Sequence, residues 1–220
     1  MELSKYIDHT LLKPTATKLD IKKLCDEAIE YQFFSVCVNS YYVGFAKKQL
    51  KGSNVKVCAV VGFPLGAMST KAKAFEAKQA SKKGADEVDM VLHIGALKDK
   101  AYHKVSKDIA AVKKELPTKV LKVILETCYL TANEITKATI LAIEAGADFV
   151  KTSTGFGTGG ATLEAVQVMQ KAANDKVQIK ASGGIRDAET ALRYIQAGAS
   201  RLGTSSGIAI VTGKIATENY

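Results

Sequence analysis

The sequence predicts an α/β protein of the (β/α)8, or TIM, barrel class: eight parallel strands closed into a cylinder and ringed by helices. Three observations predict it. Short apolar runs of strand length recur along the 220 residues, with helical patterns between them. The runs start roughly 21 to 33 residues apart, the length of a β-α unit. One local phrase also repeats, as "KKGADEVDM", "EAGADFVKT" and "QAGASRLGT". Each copy ends a helix on a glycine, the residue suited to a helix C-cap, and then starts a β-rich run. No Pro/Ser-rich linker or low-complexity segment interrupts the chain, so one domain over 1–220 is expected. A doubly wound open sheet is the alternative. The count of eight and the lack of an early G-x-G-x-x-G weigh against it.

Taken in order, the first strand is predicted near 7–10, within "YIDHTLLKP", and carries Asp8. The second, near 34–38, closes on Cys37 and Asn39, and the third falls near 55–61. The helical stretch "TKAKAFEAKQASKKG" then leads into a fourth strand near 86–92, which carries Asp89. The fifth, near 119–125, ends at Glu126. After it "TANEITKATILAIEAG" reads as a helix, with Thr131 and Glu134 at capping-box spacing. The sixth strand, near 148–151, ends on Lys151. The seventh, near 177–181, holds Lys180, and the eighth, near 200–203, runs into "LGTSSG" and a short terminal helix. Phase can be read from the repeat. Five residues after Gly84 stands Asp89, five after Gly146 stands Lys151, and five after Gly198 stands Gly203. Side chains alternate along a strand, so Asp89 and Lys151 are expected to face the same way on neighbouring strands.

Composition narrows the class of function. The chain is 47% hydrophobic and 24% charged, as ordinary soluble globular proteins are. No apolar run approaches the ~18 residues that would span a membrane. The opening "MELSKYIDHTLLKP" lacks the apolar stretch of a signal peptide. A cytoplasmic location without membrane contact is therefore expected. Cys25, Cys37, Cys58 and Cys128 include no C-x-x-C pair and are expected reduced and mostly buried. His9, His93 and His103 lack the paired spacing of a zinc site. The net charge of +9 raises a nucleic-acid reading. The lysines, however, are scattered among acids on helical segments, which suits a solvated outer ring and a modest pull on a small anion. No nucleic-acid partner is expected. The sequence is compatible with a homodimer or higher homo-oligomer and does not choose between them.

Active sites of such barrels lie at the carboxyl ends of the strands. Two lysines there, Lys151 and Lys180, on adjacent strands and with an inward Asp89, are the unusual feature. Lysine is almost never fully buried without a partner, although either one alone could be a rim residue with its amine in water. A second ammonium ~4 Å away costs a lysine ~4 kcal/mol at an effective dielectric of 20, or ~3 pKa units. One cationic neighbour thus goes most of the way to freeing an amine for attack on a carbonyl. Desolvation acts in the same direction, while Asp89 keeps its nearest lysine charged. The residues do not by themselves say which lysine attacks.

The other half of the site reads as a phosphate cradle. Ser182-Gly183-Gly184 follows strand seven and Gly203-Thr204-Ser205-Ser206-Gly207 follows strand eight, with Gly155, Gly157, Gly159 and Gly160 after strand six. Barrels of this class often bind phosphate with those last two loops and a helix N-terminus. His93 reads as a rim histidine, Cys37 as a small filler facing the barrel interior, and Glu126 as a structural partner for a lysine such as Lys122.

These pieces together resemble the deoxyribose-phosphate aldolase family from end to end. The resemblance rests on "YIDHTLLKP", "SVCVN", "GADEVDMV", "LKVILET", "FVKTSTGF", "IKASGGIR" and "LGTSSG", in that order. It implies a (β/α)8 barrel and a metal-independent, Schiff-base aldolase with no cofactor. The reaction implied is the reversible cleavage of 2-deoxy-D-ribose 5-phosphate to acetaldehyde and D-glyceraldehyde 3-phosphate, in deoxyribose phosphate catabolism. Carried over by motif, Lys151 would be the Schiff-base nucleophile and Lys180 its charged neighbour. Asp89 would share a proton relay with Lys180 and water. Gly155, Gly183, Gly184, Gly203, Ser205 and Ser206 would hold the phosphate, and Asp8 and Thr154 would line the sugar region. His93 departs from the family pattern at the rim. Three rival readings are another lysine-dependent barrel aldolase acting on a different sugar phosphate, a basic nucleic-acid-binding protein, and a barrel that only binds sugar phosphates. The chain closes on Tyr220, whose apolar ring and phenol suit a pocket mouth. It is expected to reach the barrel mouth in some conformations and to assist proton transfer at the acetaldehyde carbon.

Overall fold

The strands predicted from the sequence form, each within a residue or two of its expected bounds. In the computed structural model, which describes residues 1–214, they are β1 (Ile7–Leu11), β2 (Ser35–Asn39), β3 (Lys56–Val61), β4 (Glu87–Val91), β5 (Val120–Ile124), β6 (Phe149–Lys151), β7 (Gln178–Ser182) and β8 (Arg201–Thr204). Each pairs in parallel with the next, and β8 returns to β1, closing the barrel. The connecting helices are α1 (Lys18–Glu30), α2 (Val43–Gln49), α3 (Thr70–Lys82), α4 (Ile94–Lys98), α5 (Tyr102–Lys114), α6 (Ala132–Glu144), α7 (Leu163–Ala173), α8 (Ala188–Gln196) and α9 (Gly207–Thr212). Tyr220 lies outside the described residues.

Local chemistry sets the helix ends. Thr17 with Asp20 and Thr131 with Glu134 form reciprocal capping boxes at α1 and α6. These satisfy backbone donors that would otherwise lack partners. The repeated phrase "GA" is one cap used three times. At Gly84, Gly146 and Gly198 φ is +106°, +83° and +108°. The following alanine then donates back to the helix, Ala85 to Ala80, Ala147 to Ala142 and Ala199 to Tyr194. This is the Schellman arrangement, and it turns each chain end directly into β4, β6 or β8.

The apolar core lies between the outer face of the sheet and the helices, where Val88, Met90, Leu121, Val123, Val150, Ile179 and Leu202 pack against helix side chains. The barrel interior is different. It holds a small apolar cluster of Leu12, Cys37, Cys58 and Val60, with Phe63 against it, and Val91, Ile124 and Phe149 share the inward strand phase. Most of the remaining interior is ionic. A second buried ion pair lies outside the barrel, where Lys73 of α3 meets Asp108 of α5 at 2.6 Å and also donates to the Val91 carbonyl. Among the described residues no helix is long and apolar enough to cross a membrane.

Candidate active site

Strand phase gathers the interior charges. Lys151 and Lys180 are direct cross-strand partners on β6 and β7, so both point inward. Asp89 shares their facing but sits on β4, separated from β6 by β5. The expectation of neighbouring strands is therefore corrected to next-but-one strands. The contact survives because alternate strands of such a barrel contribute to the same interior layer. One Asp89 oxygen, Oδ2, accepts from Lys151 Nζ at 3.0 Å and from Lys180 Nζ at 2.8 Å. The other, Oδ1, accepts from Lys122 at 2.9 Å and from the Cys58 thiol at 3.1 Å.

The network continues downward. Lys180 also meets Asp8 at 2.5 Å, Lys122 meets Glu87 at 2.5 Å, and Arg201 bridges Asp8 at 2.9 Å and Glu87 at 3.1 Å. The Arg201 guanidinium lies 3.4 Å from the centre of the Phe34 ring. Asp8, expected beside the sugar, is instead fully buried among Lys180, Arg201 and the Ser35 hydroxyl, below the cavity wall. Among the described residues four cations face three carboxylates. Lys122 pairs with Glu87, Asp89 and, at 4.0 Å, Asp8, and Lys180 bridges Asp8 and Asp89, whereas Lys151 has one carboxylate oxygen and shares it with Lys180.

The titration of these groups follows from that wiring. Burial alone would raise the Asp89 carboxyl, but Lys122, Lys180 and Lys151 outweigh it and hold it well below the carboxylate range. Asp8 is lowered too, against burial, by Lys180 and Arg201. Burial pushes Lys180 down, yet Asp8 and Asp89 lift it well above the ordinary lysine value. Lys122 is lifted in the same way, chiefly by Asp89. Lys180 and Lys122 are thus fixed as cations.

Above this floor opens a cavity of about 290 Å³. Lys151 lines it together with Thr154, Gly155, Gly183, Gly184, Gly203, Ser205 and Ser206, the residues the sequence had assigned to sugar and phosphate. Gly203 is required by space: a Cβ there would stand 2.3 Å from Ser182 Oγ and 2.9 Å from Lys180 Cε. Gly160 and Gly183 likewise pass backbone against backbone, with a Cβ on Gly160 falling 2.5 Å from the Gly183 carbonyl oxygen. Ser182 Oγ is buried and has no hydrogen-bond partner among the described residues while its residue lines the cavity, so a ligand can complete it.

The sequence reading missed some members and misplaced another. Glu87, Lys122 and Arg201 were not recognised as interior groups; the signal was the spacing of two that sets Glu87 before Asp89 and Arg201 before Gly203, and the place of Lys122 in an otherwise apolar run. Arg186, within "IKASGGIR", also lines the cavity and brings a cation to its glycine-rich end. Glu126 does not pair with Lys122. It sits at φ +56° and turns its carboxylate to Thr154, accepting from the Thr154 hydroxyl and, at 3.1 Å, from its backbone N–H. His93 caps α4, its Nδ1 accepting from the Ala96 N–H at 3.2 Å. Cys37 faces the interior, as expected. Cys37, Cys58 and Asp89 come within metal-ligand reach of one another, as do Asp8, Cys58 and Glu87. Their oxygens are already taken by ammonium and guanidinium groups, so the donor set does not suit a cation.

Comparison with known proteins accords with this geometry. Residues 3–213 match the DeoC/LacD family aldolases. The deoxyribose-phosphate aldolase of Finegoldia magna is 62% identical, over 97% of this chain and 100% of its own. That of Thermococcus kodakarensis is 61% identical, over 96% of each chain. Among solved structures, an aldolase designated QR15 superposes with a TM-score of 0.92 at 46% identity, covering 96% of this chain and 94% of its own. A deoxyribose phosphate aldolase from Aeropyrum pernix, described as tetrameric, gives 0.89 at 34% identity, covering 96% and 89%.

Proposed function

The chain belongs to the DeoC/LacD family of aldolases, and from that premise we propose how its own residues cleave 2-deoxy-D-ribose 5-phosphate to acetaldehyde and D-glyceraldehyde 3-phosphate. Relatives named for that reaction match nearly the whole chain at 62% and 61% identity. No observation favours a different sugar phosphate.

The observation that carries the residue assignment is the charge balance under the cavity. With four cations against three carboxylates, loss of one proton neutralises the set. Arg201 does not lose one. Lys122 and Lys180 each meet two or more carboxylates, so deprotonating either would strand anionic charge in the interior. Lys151 has half a carboxylate and lines the cavity. It is the amine that can become neutral and meet a carbonyl, and this supports Lys151 as the nucleophile.

The steps follow. Neutral Lys151 adds to C1 of the open-chain sugar, and Lys180, Asp89 and water move the protons that expel hydroxide and leave an iminium. The iminium draws in the electrons of the C2–C3 bond, which breaks as the C3 hydroxyl loses its proton. Glyceraldehyde phosphate departs, the enamine is protonated at C2, and hydrolysis frees acetaldehyde and Lys151. The phosphate lies against Gly155, Gly183, Gly184, Gly203, Ser205 and Ser206, with Ser182 Oγ and Arg186 adding a hydroxyl and a cation. The Ser206 N–H is already given to Thr204 Oγ1 at 2.9 Å, so Ser206 contributes its side chain. Asp8 acts from below by holding Lys180. The same reading takes the protein as a cytoplasmic homo-oligomer, dimer or higher, without nucleic acid or membrane; light scattering checks the assembly.

Borohydride reduction in the presence of the sugar phosphate, followed by peptide mass spectrometry, tests the assignment. A reduced adduct on Lys151 is expected. An adduct on Lys180 with Lys151 unmodified overturns it.

A further inference from the structure

The cleavage makes two separate proton demands. One lies at C1 and C2, over Lys151, Lys180 and Asp89. The other lies at the C3 hydroxyl, which must lose its proton as the C2–C3 bond breaks, and the ionic floor does not by itself settle where that proton goes. Resting on the reading above, we infer that Thr154, backed by the buried carboxylate of Glu126, receives it.

Four observations carry the inference. First, position: Lys151 engages C1 and the glycine-rich loops engage the C5 phosphate. Thr154 lines the cavity and lies in the chain between Lys151 and Gly155, the first of the phosphate residues. Second, direction: the Thr154 hydroxyl donates its only proton to Glu126 Oε2 and accepts the Phe156 N–H at 3.0 Å. A hydroxyl has one donor and two acceptor sites, so one acceptor site is left. Thr154 can meet a ligand only by accepting, and a sugar hydroxyl, not a carbonyl or phosphate oxygen, is what it can receive. Third, the proton's destination: Glu126 is 2% exposed, and among the described residues its hydrogen-bond donors are neutral, namely the Thr154 hydroxyl and N–H and, at 3.9 Å, the Cys128 thiol. Among those residues no ion pair occupies it, unlike Asp8, Glu87 and Asp89. Fourth, strain: Glu126 holds φ +56° and ψ +64° directly after β5, a left-handed conformation uncommon for a residue other than glycine. That turn aims the carboxylate at Thr154, and Gly157 gives it room, since a Cβ there would lie 3.2 Å from Glu126 Cδ.

The step balances. The C3 O–H proton passes to Thr154 Oγ as the Thr154 proton passes to Glu126. The electrons of the C3 O–H bond form the C3 carbonyl, and those of C2–C3 form the enamine on Lys151. In condensation the sequence runs backward, and Glu126 returns the proton through Thr154. Thr154 touches the substrate; Glu126 acts through it as a positioning residue and proton store.

Glu126→Gln, Thr154→Val and Thr154→Ser test this against two readouts: cleavage of 2-deoxy-D-ribose 5-phosphate, and deuterium exchange from D2O into the methyl group of acetaldehyde. Exchange needs the iminium and enamine but no C3 hydroxyl. Glutamine keeps the shape but takes up no proton, so kcat for cleavage should fall at least ~10²-fold, the lower end of general-base contributions. KM should hold and exchange should continue at the wild-type rate. Thr154→Val should likewise lose cleavage while exchange continues, and Thr154→Ser should retain cleavage. Undiminished cleavage in Glu126→Gln overturns the inference. So does a parallel loss of cleavage and exchange, or a loss confined to KM, since a loop merely propped by Glu126 would give those. A wild-type protein that shows neither exchange nor cleavage instead refutes the aldolase reading itself.

Discussion

At the scale of single residues, the site depends on how many charges share one carboxylate. Asp89 serves three lysines, and the surplus cation makes a neutral Lys151 compatible with a balanced interior. Lys180→Leu removes that surplus: three cations then face three carboxylates, and Lys151 is held as an ammonium. Turnover at pH 7 should fall by at least ~10²-fold, and the acid limb of the pH–rate profile should move to higher pH. A profile unmoved from wild type, at near-normal rate, would remove the charge-balance argument. Lys151→Arg should abolish adduct formation at every pH, because guanidinium keeps its proton. Lys151, Lys180 and Asp89 were legible in the sequence because the glycine-cap repeat gives Asp89 and Lys151 one facing, and Lys180 stands in the apolar run one strand on from Lys151. Glu126 was not. Its role comes from a left-handed turn at a glutamate, and no residue near it announces that turn. Lys122, Glu87 and Arg201 stayed hidden for a different reason: a charge in a four- or five-residue strand reads equally well as a stem lying on the barrel surface with its head in water.

At the scale of elements, the recurrent glycine caps wrote three strand starts into the sequence and the Thr131–Glu134 box one helix start, since each is a local hydrogen-bond pattern with its own residue requirement. What local pattern cannot give is which elements lie beside each other across the barrel. Hence Asp89 and Lys151 were read with the right facing but one strand too close. The same limit concealed the Lys73–Asp108 pair, which ties α3 to α5 behind β4 across 35 positions of sequence. Lys73 is fully buried, donates to the Val91 carbonyl, and pairs with an Asp108 that also takes the Thr70 hydroxyl at 2.7 Å. Asp108→Ala leaves that ammonium without its counter-charge and should cost about 3–5 kcal/mol in urea unfolding. Adding Lys73→Met to Asp108→Leu removes both charges and should restore most of the loss, because an apolar pair of similar volume often does no worse than a buried ion pair. If the double variant is as unstable as Asp108→Ala, the pair contributes through packing and not through its charges.

At the scale of the whole molecule, an ionic barrel interior makes the fold's stability answer to pH at both ends. Asp8 and Asp89 have folded pKa values depressed below the unfolded carboxylate value of ~3.9. Their contribution is therefore complete above that value and is lost as pH falls toward the folded values, where the unfolded chain binds protons the folded chain does not. Lys122 and Lys180 are raised above the unfolded lysine value of ~10.4. Their contribution is complete below that value and is lost only as pH climbs beyond it toward their folded values. The unfolding free energy should then be level with respect to these groups from about pH 5 to 9 and fall below pH ~4. Capping carboxylates such as Glu134, whose hydrogen bonds from Lys98 and Thr131 lower it to about 2, add a background to the acid limb. The interior share separates from that background by substitution. Asp8→Asn and Asp89→Asn should each reduce the acid-limb slope by about one proton, or ~1.4 kcal/mol per pH unit, whatever offset they cause at neutral pH. Urea titrations between pH 2.5 and 7 read that slope directly. Equal slopes in wild type and both variants would mean that the two aspartates are not charged in the folded barrel, and the ion network would then have to be redrawn with protonated carboxyls in its centre.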